Sequence, residues 1–192
     1  MVLVIVGGAE LFTGICRIVI AWADKKVSAV ELNRNWAIVH IGNVIGSVVS
    51  AVLVYFSGTL LLGDGTVQLT AISIAKCKTA LPFIDAFVRG ILRIVHVCLA
   101  VWKSFDAHHI AGNVIAIVLP VTAFVALDFE HSVANRYFIT VAMHAGAESV
   151  DIARFIANLQ PVTLGNIVGG SVLAVAVIWV IYLRHPTKED VA

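Results

Sequence analysis

The 192-residue sequence is poor in charged residues. Asp, Glu, Lys and Arg together make up 13% of the chain, whereas a soluble domain carries about 25%. Hydrophobic residues account for 60%, and the mean hydropathy is +0.97. So few polar residues cannot cover the water-exposed surface of a chain of this size, which excludes a disordered chain, a collagen and a soluble enzyme. The composition therefore indicates a polytopic membrane protein.

Several other features are also missing. The net charge is only +1, which argues against a nucleic-acid partner. The three cysteines (Cys16, Cys77 and Cys98) show no CxxC spacing and an odd count, so neither a disulfide framework nor a zinc site is predicted. The histidines lack the H-E-x-x-H pattern, and we predict no metal and no cofactor. The apolar N-terminus also lacks the basic region and cleavage site of a signal peptide.

Long stretches free of charge are what the sequence does contain. A spanning helix needs about 20 predominantly apolar residues. By this criterion we predict a single transmembrane domain over residues 1–192 with five apolar segments, the fourth long and broken: 1–23, 36–58, 80–103, 107–145 and 162–183. The loops between them are predicted around residues 24–26, 63–65 and 148–160.

A repeat is visible in the order of the polar motifs. Glu10, in an interrupted span, precedes Gly42-Asn43-x-x-Gly46, and Glu130 precedes Gly165-Asn166-x-x-Gly169 in the same way. Interrupted spans at corresponding positions of two halves indicate a transporter or channel built from repeats, although the Gly-Asn-x-x-Gly pairs fit close helix packing equally well. We assign repeat one, truncated, to 1–58 and repeat two to 80–183. The helix over 80–102 has no counterpart in repeat one, so the chain is expected to lack the first of six helices and its halves to be inverted.

The lysines and arginines of the short loops predict the orientation. One side of the membrane receives Lys25, Lys26, Arg34, Lys103, Arg184 and Lys188, and the other receives Lys76, Lys78 and Arg154. This bias predicts a cytoplasmic location for the 24–35 loop and for the C-terminus.

Four motifs, at 8–14, 97–102, 129–135 and 161–170, resemble the formate/nitrite transporter family. They read Gly-Ala-Glu-Leu-Phe-Thr-Gly, Val-Cys-Leu-Ala-Val-Trp, Phe-Glu-His-Ser-Val-Ala-Asn and Pro-Val-Thr-Leu-Gly-Asn-Ile-Val-Gly-Gly. The resemblance covers essentially the whole chain. It implies an all-α, aquaporin-like fold with two broken helices, in the inner (cytoplasmic) membrane. It also implies a homopentamer whose protomers each conduct small anions such as formate, nitrite or hydrosulfide, and no enzymatic activity.

The resemblance also implies roles for individual residues. Leu11, Phe12 and Thr13 would form the tip of the first break, with an apolar constriction made by Leu11, Phe12 and Phe124. Lys78 would be the vestibule lysine, His131 the titratable residue near the midplane, and Asn166 a residue facing the substrate pathway. Glu10, Glu130 and Asn135 are expected to hold the helix breaks together, because a carboxylate repels an anion.

His131 is the main candidate for a functional residue. An ionisable residue within a span is a functional-site hypothesis by default, and imidazole, with a reference pKa of about 6.5, exchanges protons near neutral pH. We expect His131 to give a proton to a weak-acid anion, which then crosses the constriction as a neutral acid. A satisfied core histidine is the plainer alternative for His131, and a lysine reaching to the membrane interface is the plainer alternative for Lys78.

Some positions depart from the family pattern. Arg17, Arg93, His96 and Arg136 stand where the family has neutral residues, and Ile94 replaces an asparagine. Charges at these depths must face water or a subunit contact. A truncated or degenerate member that no longer conducts is therefore an alternative. An aquaporin-type channel for neutral solutes is a second alternative, although the sequence contains no Asn-Pro-Ala. A membrane-embedded enzyme is a third, but only Glu130 lies beside His131 as a titratable partner.

Overall fold

The computed structural model describes residues 15–105 and 109–174, and every regular element in these stretches is helical. The elements are α1 (Ile15–Ala23), α2 (Ala29–Phe56), α3 (Thr66–Thr79), α4 (Phe83–Phe105), α5 (Ile110–Ala126), α6 (Ser132–His144) and α7 (Ile152–Val168), with a 3-10 turn at Thr59–Leu61 and a π-helical stretch at Gly169–Ala174. By length and composition, α2 is the one helix among the described residues that can cross a membrane, and Val114–Ala126 is a shorter apolar helix.

Helix α2 begins seven residues earlier than the predicted segment 36–58. Ser28 is its N-cap, and a capping box stabilises the first turn. The Glu31 N–H donates to the Ser28 hydroxyl at 3.3 Å, and the Ser28 N–H donates to the Glu31 carboxylate at 2.9 Å. Capping of this kind satisfies backbone donors that the helix itself leaves free. Hydropathy did not detect this start, because the first turns of α2 are polar.

The break expected within 107–145 lies between Ala126 and Ser132. Asp128 has a left-handed backbone conformation (φ 48°), which ends the helical path of α5. The chain then runs through Phe129 and Glu130 to His131, which caps α6. The break places polar side chains beside the backbone N–H groups at the start of α6, which have no partner within the helix.

The loop predicted over 148–160 is shorter in the structure. Asp151 accepts a hydrogen bond from the Arg154 N–H at 2.8 Å and starts α7 at Ile152. The helix then continues through Pro161 to Val168. The predicted loop boundary was wrong because the first turns of α7 are amphipathic, and a test based on apolar content does not register them.

Helices α4 and α7 pack closely against each other through glycines. A Cβ atom added at Gly90 would lie 2.9 Å from the Val162 carbonyl oxygen, and one at Gly165 would overlap the Phe87 carbonyl. The first Gly-Asn-x-x-Gly motif behaves differently, because a Cβ at Gly42 or Gly46 meets no described atom within 4 Å. Small residues allow backbones to approach in membrane helices. Within the described residues, only the second motif is used in this way.

The hydrophobic core lies where four helices meet. Buried residues from α1, α2, α4 and α5 form one cluster, which contains Val19, Leu32, Ile94, Val97, Cys98 and Phe124. Phe129, from the break, and Ile167, from α7, pack against the same cluster. The break between α5 and α6 therefore lies at the edge of the largest apolar cluster.

Candidate functional site

His131 stands at the N-terminus of α6 and caps it. Its Nδ1 atom accepts hydrogen bonds from the N–H groups of Val133 at 3.1 Å and Ala134 at 3.2 Å. Because Nδ1 is the acceptor, the proton of the neutral ring is assigned to Nε2. The residue is only 8% exposed. His131 is thus held in a fixed orientation by the backbone, with Nε2 as the atom available for proton exchange.

The ring also borders an open groove between α2 and α6. The groove has a volume of about 630 Å³ and is lined on one side by Gly42, Asn43 and Ser47, and on the other by Val133 and Tyr137. Its lining is mostly apolar, with a few polar groups. A small solute in this groove can reach the imidazole.

Asn166 connects α7 to both sides of the break. Its side-chain oxygen accepts from the Ser132 N–H at 3.1 Å, and its NH2 group donates to the carbonyls of Gly90 at 2.8 Å and Glu130 at 3.3 Å. The side chain is fully buried. Asn166 therefore supplies two of the hydrogen bonds that a broken helix in a membrane cannot obtain from water, and its third bond ties the break to α4.

Lys78, at the end of α3, forms a buried ion pair with the break. Its ammonium lies 2.9 Å from the Glu130 carboxylate and 3.1 Å from that of Asp128. The side chain of Glu130 has no exposed surface, that of Lys78 is 8% exposed, and that of Asp128 is 63% exposed. Arg89 adds a weaker contact with Asp128 at 3.9 Å. The pair joins α3 to the break and neutralises the buried carboxylate of Glu130.

Two asparagines complete the network. The Asn135 NH2 group donates to Glu130 and also to the Asn158 side-chain oxygen, the latter at 2.8 Å. The Asn158 NH2 group donates to the Lys78 carbonyl at 2.7 Å. Both asparagines are buried. The second carboxylate oxygen of Glu130 is thereby satisfied, so both oxygens bind other parts of the protein.

Two arginines lie buried close to the break. The guanidinium carbon of Arg93 is 2.9 Å from the centroid of the Phe124 ring, a cation–π arrangement. Nη2 of Arg136 lies 3.0 Å from Nε2 of His40 on α2. For both arginines, Nε and Nη1 are buried without a hydrogen-bond partner among the described residues.

The structure brings four of the predicted site residues together at this break: Lys78, Glu130, His131 and Asn166. Asn135 joins the same network, and Phe124 lies in the last turns of α5. Lys78 is an ion-pair partner here, and Asn166 uses its amide in hydrogen bonds, so the vestibule role of Lys78 and the pathway role of Asn166 stay predictions. Glu10, Leu11, Phe12 and Thr13 lie outside the described residues, as does the side chain of Arg17.

Sequence reasoning missed several members of the network. Asn158 lies in the region predicted to be a loop, so nothing indicated its burial. Asp128 directly precedes the 129–135 motif and Ser132 lies within it, but neither residue was assigned a role. A pairing between Lys78 and Glu130, 52 residues apart in sequence, leaves no signal in hydropathy. Within the described stretches, no three His, Cys, Asp or Glu side chains are placed to hold a metal ion.

Comparison with known proteins decides which family this helical architecture represents. The family model for the Formate/nitrite transporter matches residues 1–180. The chain belongs to the formate/nitrite transporter family. The resemblance carried by the four sequence motifs is thereby confirmed.

Relatives of this formate/nitrite transporter family member are found in bacteria and archaea. It is 36% identical over 203 residues to the "Formate channel FocA" of Escherichia coli strain K12, covering 96% of this chain and 71% of that protein. It is also 36% identical over 200 residues to the "Probable formate transporter" of Methanothermobacter thermautotrophicus, covering 96% of this chain and 72% of that protein.

Solved structures of the family share the fold. A "Pentameric formate channel with formate bound" superposes with a TM-score of 0.87 at 36% identity, covering 95% of this chain and 78% of that one. An "FNT family ion channel" superposes with a TM-score of 0.85 at 29% identity, covering 96% and 72%. The all-helical, polytopic membrane fold expected from the sequence is therefore confirmed.

Proposed function

We propose that this chain assembles as a homopentamer in the inner (cytoplasmic) membrane, and that each protomer conducts small monovalent anions of weak acids such as formate, nitrite or hydrosulfide. The observation that carries the proposal is His131. It is a titratable side chain within an interrupted span, buried at the start of α6 and beside an open groove. The formate channels among the relatives support the substrate class, and the pentameric relative supports the assembly.

The geometry of His131 defines how it would act. In the neutral ring, Nδ1 accepts from two backbone N–H groups and Nε2 carries the proton. An anion loses much of its hydration on the way to an apolar constriction, and an unpaired charge there is very costly. His131 therefore first takes up a proton from solvent and becomes the imidazolium. The imidazolium then gives a proton to the weak-acid anion, which passes Phe124 as the neutral acid, and the ring returns to neutral imidazole.

Flux through reconstituted protein tests this proposal. In proteoliposomes, formate and nitrite should be conducted better than chloride, and the flux should rise as the external pH falls because more protons reach His131. His131→Asn is the sharpest variant, because asparagine is a good N-cap and still accepts from the backbone of α6 but cannot carry a proton. We expect this variant to show a flat pH dependence and to lose the preference for weak acids.

The outcomes separate the alternatives. Unchanged pH dependence in folded, inserted His131→Asn would falsify the proton relay and leave His131 a structural cap. Wild-type protein that passes water or glycerol but no anion would be a channel for neutral solutes. Wild-type protein that passes none of these would be a degenerate member, the alternative raised by Arg93 and Arg136.

Assembly and orientation need separate measurements. We expect native mass spectrometry of the detergent-solubilised protein to give five copies, and monomers alone would contradict the pentamer. A reporter fused after the last residue should be active on the cytoplasmic side. Activity on the opposite side would reverse the orientation predicted from the lysines and arginines.

A vestibule role for Lys78 would appear as a dependence on salt. A cation beside the substrate path attracts anions, and salt screens this attraction over roughly 8 Å at physiological ionic strength. Lys78→Ala should then lower formate flux more at low salt than at high salt, and exposed Lys76→Ala should have a smaller effect. Equal salt effects in the two variants would leave Lys78 with its structural role alone.

A further inference from the structure

Arg93 is a buried cation near the middle of α4. The residue is 7% exposed and lies within the 23-residue helix Phe83–Phe105, on the turn that also places Ile94 in the main apolar cluster. A charge in such surroundings is retained only where it is paired or serves a function. A partner for the charge of Arg93 is therefore expected nearby.

The carboxylates near the break are already bound by other groups. Glu130 accepts from Lys78 and Asn135, and Asp128 accepts from Lys78. Arg93 instead lies against the face of the Phe124 ring, and its Nε and Nη1 have no acceptor anywhere in residues 15–105 and 109–174. Two buried donor nitrogens of a cation are therefore available to a ligand that carries negative charge.

The position of these donors matches the proposed substrate path. The resemblance to the family assigns Phe124 to the apolar constriction, and the guanidinium carbon of Arg93 lies 2.9 Å from the centroid of its ring. An anion that passes Phe124 on its way to His131 therefore comes within reach of Arg93.

We propose that Arg93 is an anion-binding residue at the constriction, where Nε and Nη1 donate to the permeating anion and widen selectivity to anions of strong acids such as chloride. This inference rests on the proposed channel function. Guanidinium keeps its charge at all physiological pH values and presents a planar pair of donors that fits a carboxylate or a halide. A proton relay helps only anions that accept a proton, whereas a fixed cation stabilises any monovalent anion at the point where it is least hydrated.

His131 and Arg93 would thus favour different classes of anion. His131 favours weak acids, because it supplies a proton. Arg93 lowers the barrier for every anion, and its effect is largest for chloride, which gains nothing from His131. Removing the charge of Arg93 should therefore reduce chloride flux more than formate flux.

The experiment measures chloride and formate flux in proteoliposomes for four proteins. Arg93→Met removes the charge and keeps an unbranched apolar side chain, Arg93→Lys keeps the charge, and Arg136→Met is the matched control, since Arg136 is also a buried arginine but its guanidinium contacts His40. We expect Arg93→Met to lower the chloride-to-formate flux ratio by roughly tenfold or more, the value of one charge-assisted hydrogen bond. Arg136→Met should keep the ratio of the wild type, and Arg93→Lys should give an intermediate ratio, because it keeps the charge but not the planar pair of donors.

A second readout detects binding without transport. Chloride that binds the folded state raises the unfolding temperature of detergent-solubilised protein relative to gluconate, an anion too large for the site. We expect this difference in the wild type and in Arg136→Met but not in Arg93→Met. If Arg93→Met does not fold, Arg93→Gln replaces it, because glutamine also lacks the charge.

The outcomes distinguish this inference from the channel function. If the wild type conducts formate but Arg93→Met keeps the wild-type ratio, Arg93 does not determine selectivity and the proposal is overturned. If the wild type conducts neither anion, the channel function fails, and stabilisation by chloride that depends on Arg93 would still support the binding site. If chloride does not stabilise the wild type, the site does not bind anions.

Discussion

The buried ion pair between Lys78 and Glu130 permits a quantitative prediction. Replacing Lys78 with methionine keeps an unbranched side chain that is one heavy atom shorter, and it removes the charge. The carboxylate of Glu130, which has no exposed surface, then loses the cation 2.9 Å away. Leaving one member of a buried pair without its partner costs about 3–5 kcal/mol. Asp128 contributes little to this value, because its side chain is 63% exposed and water screens its charge.

The assay is thermal unfolding of the purified protein in detergent. For a chain of this length, a loss of about 3–5 kcal/mol corresponds to a decrease in unfolding temperature on the order of 10 °C. Lys76→Met is the matched control, since Lys76 is an exposed lysine in the same last turn of α3. We expect this control to stay within about 0.5 kcal/mol of the wild type.

The double variant separates pairing from packing. In Lys78→Met with Glu130→Gln, neither position of the pair carries a buried charge, and the glutamine can still accept from Asn135. The double variant should therefore be more stable than Lys78→Met alone, with a coupling of at least about 1 kcal/mol in the double-mutant cycle. The assignment of this pair as the interaction that stabilises the helix break would be refuted if the two substitutions had additive effects on the free energy of unfolding. It would also be refuted if Lys78→Met were as stable as Lys76→Met.

The remaining predictions concern other contacts of the break and its packing. Asn166→Ala should lower the free energy of unfolding by about 1–3 kcal/mol, because it leaves the buried Ser132 N–H without this acceptor and removes a donor from the carbonyls of Gly90 and Glu130, and an unchanged melting curve would contradict this. Gly165→Ala should cost about 1–3 kcal/mol by separating α7 from α4 at the Phe87 carbonyl. Gly42→Ala is its control, with open space around the added methyl among the described residues and no loss of stability expected. Equal losses in the two glycine variants would argue against the α4–α7 contact as the cause.

The helix boundaries show where sequence reasoning succeeded and where it did not. The break within 107–145 was predictable, because Asp128, Glu130 and His131 interrupt an otherwise apolar run. The starts of α2 at Ala29 and of α7 at Ile152 were not predictable from the sequence, because N-cap residues within polar stretches define them. These residues are Ser28 and Asp151. Hydropathy measures which residues prefer lipid. A capped amphipathic turn has no such preference, so hydropathy does not detect the start of a helix there.

The sequence alone determined the membrane class, the position of the second helix break and the family. Each of these depends on local composition or on an ordered motif. Only the tertiary structure decided which polar side chains bind to one another. Lys78 meets Glu130, and Asn166 bridges Gly90 and Ser132, only because α3, α4 and α7 converge on the break. Among the residues that the structure describes, the same packing leaves Nε and Nη1 of Arg93 without an acceptor beside Phe124. Pairing between distant helices depends on how those helices pack, and a one-dimensional pattern of apolar and polar residues does not encode that geometry.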